Sequence, residues 1–402
     1  MNLRRVVHVV VATTIAAACQ AGEHATYEVA LVGPGLFARG LNDQGVAIGE
    51  RSVSGNIRAW VGGATGGSQL LPLPAGYFSS TVGGINNHGV IVGAVGQSFS
   101  AERGQAVRWT PVEGGYTIEF LGALPGHTQS IATAINDQGD IVGYSIVPGF
   151  QGGPSVWFNG PQGVVDLGAL GMNGLAYDIN EQRVVVGGRA RVDLDTLTAE
   201  LLPVPSIPGF QSFSGLVISR GVNESGQVVG HGVLNTSQPD RQVPIRYTDG
   251  VGWEALVALA SPFGTAYDIN NDAETALVAI GSPGYVQAPG AGLASLTARV
   301  DPAQPGWTVR GDAGMDVNNA GQILATGVNS ITGHSGIILL TPMGGSLLGD
   351  IDGDGQVNFN DLNLLLGEYG QSGPGLGGDL DGDGAVGFAD LNLLLGQFNA
   401  GA

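Results

Sequence analysis

Two acidic segments near the C-terminus carry the residue pattern of a calcium-binding loop. The first runs from Asp350 to Asp361 and the second from Asp379 to Asp390. Each begins Asp-x-Asp-x-Asp-Gly and has a further Asp at position 12. Calcium prefers oxygen ligands, which such loops supply from positions 1, 3, 5, 7, 9 and 12, with glycine at position 6 for the sharp turn. The spacing, present twice, predicts two bound Ca²⁺ ions.

The pattern names the ligands position by position. In loop one they are Asp350, Asp352, Asp354, the Gln356 carbonyl, Asn358 and Asp361. In loop two they are Asp379, Asp381, Asp383, the Ala385 carbonyl and Asp390, with water beside Gly387. Carboxylates this close together repel one another unless a cation lies between them. Because Gly387 supplies no side-chain ligand, loop two is expected to bind calcium more weakly than loop one.

A short helix is expected to leave each loop. Apolar residues recur at i, i+3, i+4 and i+7, the spacing of one helix face. These residues are Leu362, Leu365, Leu366 and Tyr369 after loop one, and Leu391, Leu394, Leu395 and Phe398 after loop two. No such pattern precedes loop one, where residues 343–349 are glycine-rich and indicate a linker. The C-terminal domain is therefore predicted to span residues 350–402.

A duplicated loop-then-helix unit with Asp at position 12 resembles a type I dockerin over residues 349–399. Dockerins bind calcium, fold with it, and dock onto cohesin modules of scaffold or cell-surface proteins. The two near-identical halves imply a pseudo-two-fold surface that can bind in either orientation. The resemblance places the docking face at Phe359, Asn360 and Leu364 in one half and at Phe388, Ala389 and Leu393 in the other. The alternative is a calcium-stabilised fold with no cohesin partner.

A second pattern repeats through the body of the chain. An apolar residue, Asn, a short polar turn ending in Gly, and a β-branched run recur at intervals of 43 to 50 residues. The asparagines are Asn42, Asn86, Asn136, Asn180, Asn223, Asn270 and Asn318. Asn-x-x-Gly between two β-patterned runs indicates a hairpin, because Asn bonds its own backbone and Gly accepts a positive φ. Arg183 replaces the Gly in copy four, and copy six is predicted to have a longer turn around Ala273, so these two turns are expected to be looser or of another type.

Each hairpin is followed by two further apolar segments, which are predicted to be a third and a fourth strand. The third ends in an aromatic residue such as Trp60, Trp109 or Trp157. The fourth is leucine-rich, as in residues 120–126 and 166–170. Four short strands per repeat are typical of a β-propeller blade. Segments 27–33 and 336–341 lack partners of their own and are expected to pair and complete a blade. The fold class is predicted to be all-β, a seven-bladed propeller over residues 22–342, with six or eight blades as alternatives.

The repeated strand–Asn-x-x-Gly–strand units resemble extracellular HAF-family repeats over about residues 26–342. The Asn-Gly hairpins carry the resemblance, whereas the family's His-Ala-Phe triplet is replaced by Arg-Ala-Trp and Val-Arg-Trp. The resemblance implies secretion and repetition rather than a defined activity.

The N-terminus indicates export. Arg4 and Arg5 precede an apolar run that is typical of a signal peptide. Cleavage is expected after Ala18 or Ala21, and a signal peptide over residues 1–21 predicts a secreted protein. Lipidation of Cys19 at the cell envelope is the alternative. The run is too short for a membrane span, and no other segment has the ~20 apolar residues that a transmembrane helix needs. The net charge is −19, all 15 basic residues are arginines, and nucleic acid is not expected as a partner.

Two functions are compatible with these patterns. The first is a non-enzymatic binding or structural propeller, with polysaccharide or a surface protein as its candidate ligand, localised by its calcium-dependent tail. The second is a polysaccharide-degrading glycoside hydrolase, which would need two facing carboxylates on the propeller. No catalytic residue is assigned, since Asp178 and Asp268 recur as strand-end residues and favour structural hydrogen bonds. The histidines, among them His231, are expected at the surface.

Overall fold

The computed structural model describes residues 25–64, 67–99, 104–146, 155–160, 163–172, 174–210, 212–235, 241–256, 264–279, 283–288, 292–343, 349, 351, 357–373, 376–380, 385–396 and 398. The predicted signal peptide and Cys19 lie outside these residues. The chain divides into two compact units, Met1–Thr341 and Pro342–Ala402. In the described residues no helix is long and apolar enough to cross a membrane.

The first unit consists of short strands grouped into blades in chain order. Blade one has β2 (Phe37–Leu41), β3 (Ala47–Val53), β4 (Asn56–Gly63) and β5 (Gly67–Leu70). Blade two has β6 (Ser79–Ile85), β7 (Ile91–Gly96), β8 (Gln105–Val112) and β9 (Gly115–Phe120). Blade three has β10 (Gln129–Ile135), β11 (Ile141–Ile146), β12 (Ser155–Gly160) and β13 (Gly163–Asp166). Blade four has β14 (Asp178–Ile179), β15 (Val184–Gly187), β16 (Ala190–Asp193) and β17 (Thr198–Leu201).

The remaining blades follow the same plan. Blade five has β18 (Phe213–Val222), β19 (Val228–Leu234), β20 (Gln242–Thr248) and β21 (Gly252–Ala255). Blade six has β22 (Gly264–Ile269), β23 (Thr275–Ala279), β24 (Gly284–Ala288) and β25 (Gly292–Ser295), followed by a 3₁₀ helix at Leu296–Arg299. Blade seven has β26 (Trp307–Arg310), β27 (Asp316–Val317), β28 (Ile323–Asn329) and β29 (Ser335–Met343), together with β1 (Thr26–Gly33).

Blade seven closes the propeller. Its strand order is β1-β29-β28-β26, with β27 also paired to β28, whereas each of the other six sheets contains four consecutive strands. The first strand of the described chain therefore joins the last sheet, as expected for segments 27–33 and 336–341. This pairing covers one edge of β29 and joins the first and last strands of the propeller in one sheet. The described residues thus confirm an all-β, seven-bladed propeller.

The hairpin turn at each repeat is held by its asparagine. In blade one Asn42 N–H donates to the Val46 carbonyl at 3.1 Å, and Asn42 Oδ1 accepts from the N–H of Gln44 at 3.2 Å and of Val46 at 2.9 Å. Gly45 adopts φ 73°, in the left-handed region where glycine is strain-free. The side chain therefore caps its own turn, as the sequence pattern predicts.

The prediction that the hairpin turns of copies four and six differ from the other turns is wrong. Arg183 and Ala273 take φ values of 61° and 60°, and their N–H groups donate to Asn180 and Asn270 at 3.0 Å, the geometry of the glycine turns. Glu274 accepts from Asn270 N–H as Val46 does in copy one, so the turn is no longer either. A left-handed non-glycine residue costs about 1–2 kcal/mol, and the asparagine hydrogen bonds offset that strain.

The fourth strand of each blade lies earlier than predicted. In blade two it is β9, which ends at Phe120, and in blade three it is β13, which ends at Asp166. The leucine-rich segments that follow are connections to the next blade, because Gly122 and Gly126 adopt φ values of 82° and 84° and turn the chain. Leu167 lies in such a connection and is fully buried in a core cluster that contains residues of blades three and four.

The hydrophobic core lies between neighbouring blades. One cluster joins Ile48 of blade one to Ile91 and Val107 of blade two. Trp60 and Trp109 are fully buried and Trp157 is 5% exposed. These aromatics therefore belong to the core and offer no surface platform for a ligand, as expected.

The second unit contains two helices in its described residues, α1 (Phe359–Glu368) and α2 (Phe388–Gly396). Its core is formed by Val357, Leu365, Val386 and Leu394, all at most 1% exposed. The predicted helix face is partly wrong, because Leu366 and Leu395 are 49% and 48% exposed. The buried side of each helix is narrower than the i, i+3, i+4 pattern implies.

Candidate functional site

The two halves of the C-terminal unit repeat the same contacts around the Asp at position 12. Asp361 accepts from Ile351 N–H and Asn358 N–H, both at 2.8 Å. Asp390 accepts from Leu380 N–H at 2.8 Å and from Gly387 N–H at 2.6 Å. Both carboxylates are at most 1% exposed. Each therefore ties the start of its loop to the start of its helix.

Helix α1 begins with a capping box that uses a predicted ligand. The Asn358 side chain accepts from Asn360 N–H at 2.7 Å, and Asp361 accepts from Asn358 N–H. Helix α2 has Gly387 at the corresponding position, so it lacks this side-chain cap. An N-cap asparagine stabilises a helix by about 1 kcal/mol. The predicted difference between the loops thus extends to their helices.

The donor chemistry of this unit suits calcium. Pro342–Ala402 contains no Arg, Lys or His, so no basic side chain of the unit can balance the buried carboxylates of Asp361 and Asp390. A buried carboxylate needs a compensating charge or several hydrogen bonds. The neighbouring donors are oxygen-bearing Asp and Asn side chains, the set that Ca²⁺ prefers. The residues present therefore fit a calcium ion in each loop.

The predicted ligands are only partly within the described residues. Asn358, Asp361, Asp379, Ala385 and Asp390 are described, whereas Asp350, Asp352, Asp354, Gln356, Asp381 and Asp383 lie outside them. Within the described ranges no group of three His, Cys, Asp or Glu side chains converges on one point. Calcium binding is therefore still a prediction.

The predicted docking residues lie on the surface of the second unit. Phe359 and Phe388 are 69% and 68% exposed, and Leu364 and Leu393 are 46% and 39% exposed. Asn360 and Ala389 are also exposed. An exposed phenylalanine and an exposed leucine therefore lie at equivalent positions in both halves.

In the first unit, the inner strands surround a central cavity of about 500 Å³. The seven repeat asparagines form a closed ring at this cavity. The Nδ2 of each donates to the backbone carbonyl of the next, in the order Asn42, Asn86, Asn136, Asn180, Asn223, Asn270, Asn318 and back to Asn42, at 2.9–3.2 Å. All are at most 4% exposed. Each asparagine thus caps its own turn and also joins its blade to the next.

The residues after these asparagines form a second closed ring. The backbone N–H of each donates to the side chain of the next, in the order Asp43, Asn87, Asp137, Glu181, Glu224, Asn271, Asn319 and back to Asp43, at 2.7–3.2 Å. Asp, Asn and Glu all supply the accepting oxygen. The acidic members of this ring are therefore structural acceptors.

Three aspartates line the cavity two positions before the asparagines. Asp178 accepts from Val222 N–H of the next blade at 2.9 Å. Asp316 accepts from Leu41 N–H at 2.6 Å. Val317 N–H lies 3.2 Å from Asp268 and 3.1 Å from Asp316. These are the strand-end hydrogen bonds expected for Asp178 and Asp268, and they run between blades.

The aspartates also perturb one another's protonation. Burial, followed by the charge of Asp268, raises the pKa of Asp178 to about 8. Burial and then Asp268, which is also a hydrogen-bond partner, raise the pKa of Asp316 well above its usual range. Burial in the cavity therefore favours the protonated form of Asp178 and Asp316.

We expect the propeller to lose stability as pH rises because of Asp178. Its pKa is about 8 in the folded state and roughly 4 when unfolded. Its contribution is therefore fully present below about pH 4 and is lost as pH rises through 8. Asp178→Asn should flatten this dependence, which is on the order of a few kcal/mol in the free energy of unfolding between pH 5 and 9.

Urea unfolding at pH 5, 7 and 9, followed by tryptophan fluorescence, measures this effect. All five tryptophans precede residue 310, so the signal reports the first unit alone. Asp272→Asn, at an exposed turn position, is the matched control and should keep the wild-type slope. If the free energy of unfolding changed with pH equally in the wild type and in Asp178→Asn, the raised pKa assigned to Asp178 would be contradicted.

A β-bulge directs one residue of most inner strands toward the cavity. Register shifts fall at Arg39, Gly83, Thr133, Arg220 and Tyr267, three positions before each asparagine. All five line the cavity. Bulges reorient side chains and are common beside binding sites. Because the residue type at this position differs between blades, each blade contributes a different side chain to the wall of the cavity.

Sequence reasoning missed this set and misplaced one histidine. The bulge residues share a spacing but no common residue type, so only their distance from the asparagine could have identified them. His231 was expected at the surface but is 2% exposed, on β19 opposite Ile218 of the inner strand of blade five. Burial and then the charge of Arg220 lower its pKa to about 4, so it is neutral at physiological pH.

Comparisons with known proteins bear on the fold alone. No protein-family model matches the chain, and no curated protein does either. A catalytically inactive virginiamycin B lyase from Staphylococcus aureus with quinupristin aligns at 15% identity and TM-score 0.40, covering 79% of this chain and 100% of that one. An ulvan lyase, a polysaccharide lyase bound to its sugar, aligns at 12% identity and TM-score 0.37, covering 80% and 96%.

TolB from Acinetobacter baumannii aligns at 11% identity and TM-score 0.34, covering 71% of this chain. This chain spans 60% of the length of TolB. At such low scores these similarities carry no argument about function, and the propeller assignment depends on the observed sheet topology.

Proposed function

We propose that this chain is a secreted, non-enzymatic binding propeller that a calcium-dependent, dockerin-like unit attaches to a cohesin-type partner. The observation that carries the proposal is the duplication in the C-terminal unit. The contacts of Asp361 recur at Asp390, and the exposed Phe359 recurs at Phe388. A surface built twice can engage one partner site in two orientations.

This symmetry gives a sharp test of docking. Phe359→Ser and Phe388→Ser are each expected to leave most partner binding intact, because the other half still presents its face. The double variant should lose binding, since burying such an aromatic contributes on the order of 2 kcal/mol or more. Capture from the envelope fraction of the source cells, with calcium and with chelator, measures the effect.

Phe99→Ser is the matched control, because Phe99 is 71% exposed in the first unit. Calcium-independent capture, or capture that survives the double substitution, would overturn the docking proposal. A single substitution that abolished capture would leave docking in place but exclude the two-orientation mode.

The second candidate function is a glycoside hydrolase with its site in the propeller cavity. The observation that favours it is Asp178, whose raised pKa of about 8 would supply a proton donor at neutral pH. Against it, Asp268 and Asp316 approach the same backbone nitrogen and hydrogen-bond one another. Such a pair leaves no space for a sugar between the carboxyl groups. Reducing-sugar release from acidic or neutral glycans that disappears in Asp178→Asn would establish this function instead.

A further inference from the structure

Arg220 occupies the bulge position of blade five, between two tyrosines. The guanidinium carbon lies 5.3 Å from the ring centre of Tyr177 in blade four and 5.4 Å from that of Tyr267 in blade six. All three residues line the central cavity. Stacking between aromatic faces fixes the plane of the guanidinium and leaves its N–H edge available.

This arginine lacks the partner that its counterpart has. Arg39, at the same position in blade one, forms two 3.2 Å hydrogen bonds with the carboxylate of Glu50. Arg220 forms no ion pair with any carboxylate among the described residues. Its Nε is buried and has no acceptor there. A cation held in place with unused donors is a ready site for an oxyanion.

Arg220 has no ion-pair partner among the described residues, although Asp268 lines the same cavity. His231, which lies close enough to feel that charge, is uncharged at neutral pH. Burial raises the pKa of Asp178 to about 8 and that of Asp316 above its usual range, which favours the uncharged form of both carboxyl groups. An anion entering the cavity therefore meets the arginine with reduced repulsion from Asp178 and Asp316.

We infer that Arg220, flanked by Tyr177 and Tyr267, binds the carboxylate of an acidic sugar in the central cavity. The guanidinium edge matches a carboxylate in a bidentate arrangement. The phenol groups of Tyr177 and Tyr267 and the carboxyl group of Asp178 line the same cavity and can form hydrogen bonds, which suits a ring bearing several hydroxyls. A cavity of about 500 Å³ lies within the range of small-ligand sites. The inference rests on the proposed binding function and specifies its ligand class.

Calorimetric titration of the full chain with trigalacturonate tests this site, with galactotriose as the neutral counterpart. The wild type should bind the acidic trisaccharide and not the neutral one. Arg220→Gln should weaken binding on the order of tenfold to a hundredfold, the loss expected for one charged hydrogen-bonded contact. Arg310→Gln, an exposed arginine paired with Asp312, should bind as the wild type does. Equal affinities of wild type and Arg220→Gln, or no binding by the wild type, would overturn the inference.

A measurement on the wild type avoids dependence on the folding of the variant. Phenylglyoxal modifies accessible arginines, and mass spectrometry of peptides reports each site. Trigalacturonate should slow modification of Arg220 at least severalfold and leave Arg310 unaffected. Equal rates at Arg220 with and without the sugar would count against the site.

Two further outcomes separate alternative explanations. If a short peptide with a free C-terminal carboxylate bound as tightly as trigalacturonate, the acidic-sugar assignment would be wrong. Calcium-dependent capture of the partner does not involve the cavity. Its loss would contradict the proposed docking, whereas failure of the sugar titrations would contradict only this inference.

Discussion

Removing calcium from the full chain is expected to unfold the C-terminal unit while the propeller stays folded. The unit has a small core of four buried apolar side chains and two buried carboxylates with no basic residue of its own to balance them. Small metal-binding domains usually draw most of their folding free energy from the ion. Loss of calcium should therefore remove the protection of both helices.

Hydrogen exchange on the intact chain measures this separation. Peptides covering Phe359–Glu368 and Phe388–Gly396 should exchange fully in chelator, whereas the tryptophan fluorescence of the propeller should not change. Asp361→Asn should abolish protection of the first helix, because it removes the charge at position 12 and keeps the shape. Unchanged protection of both helices in chelator would refute the calcium assignment.

The weaker second loop supplies a gain-of-function control. Gly387→Asn places in loop two the residue that loop one has at Asn358. A Cβ at Gly387 would meet only Asp390 Oδ2, at 3.9 Å, so the substitution has space. It should add a ligand and an N-cap together and raise the calcium affinity of loop two toward that of loop one. No change in affinity would show that position 9 contributes nothing here.

Breaking the asparagine ring is expected to destabilise the propeller strongly. Asn86 donates to the Asn136 carbonyl at 3.0 Å and accepts from His88 N–H at 3.1 Å and Val90 N–H at 2.9 Å. Asn86 is 4% exposed, so water cannot easily replace these bonds. Asn86→Ala should reduce the free energy of unfolding by about 3 kcal/mol or more, since each buried unsatisfied group costs about 1–3 kcal/mol.

Asn86→Asp separates the two roles of the side chain. It retains an oxygen for the turn but replaces the donor to Asn136 with a second acceptor. A loss as large as that of Asn86→Ala would show that the contact between blades dominates. Asn87→Ala, on the same turn but partly exposed, is the control and should cost less than half as much. Urea unfolding followed by tryptophan fluorescence measures all three variants, and no loss in Asn86→Ala would refute the role of the ring.

The repeat asparagines show how far the sequence predicts this fold. Their spacing and the adjacent glycine predict a hairpin because the side chain bonds within its own turn, as Asn42 does with Gln44 and Val46. The bond from Asn42 to the carbonyl of Asn86 joins residues 44 positions apart. No local pattern specifies such a contact, since it forms only when the blades assemble. The number of blades was predictable from the repeat count, and the closed ring was not.

The candidate sites show the same limit. The calcium loops could be predicted from the sequence because all the ligands of each loop come from one segment of twelve residues. Arg220, Tyr177 and Tyr267 come from three blades and share only a distance from their asparagines. The grouping of Arg220 and Tyr267 depends on the bulges in their inner strands, which displace side chains that simple alternation would assign to the other face. Tyr177 directly precedes the short inner strand of blade four. A site assembled across repeats in this way has no continuous sequence motif.

Closure of the propeller through β1 also determines how the molecule resists a mechanical load. The chain leaves the first unit through β29, which is hydrogen-bonded to β28 on one side and β1 on the other. Six residue pairs join β29 to β28 alone, from Ser335 opposite Val328 to Leu340 opposite Ile323. A pull on the C-terminal unit is therefore transmitted to a strand inside a sheet, and two ladders must rupture before β29 is extracted.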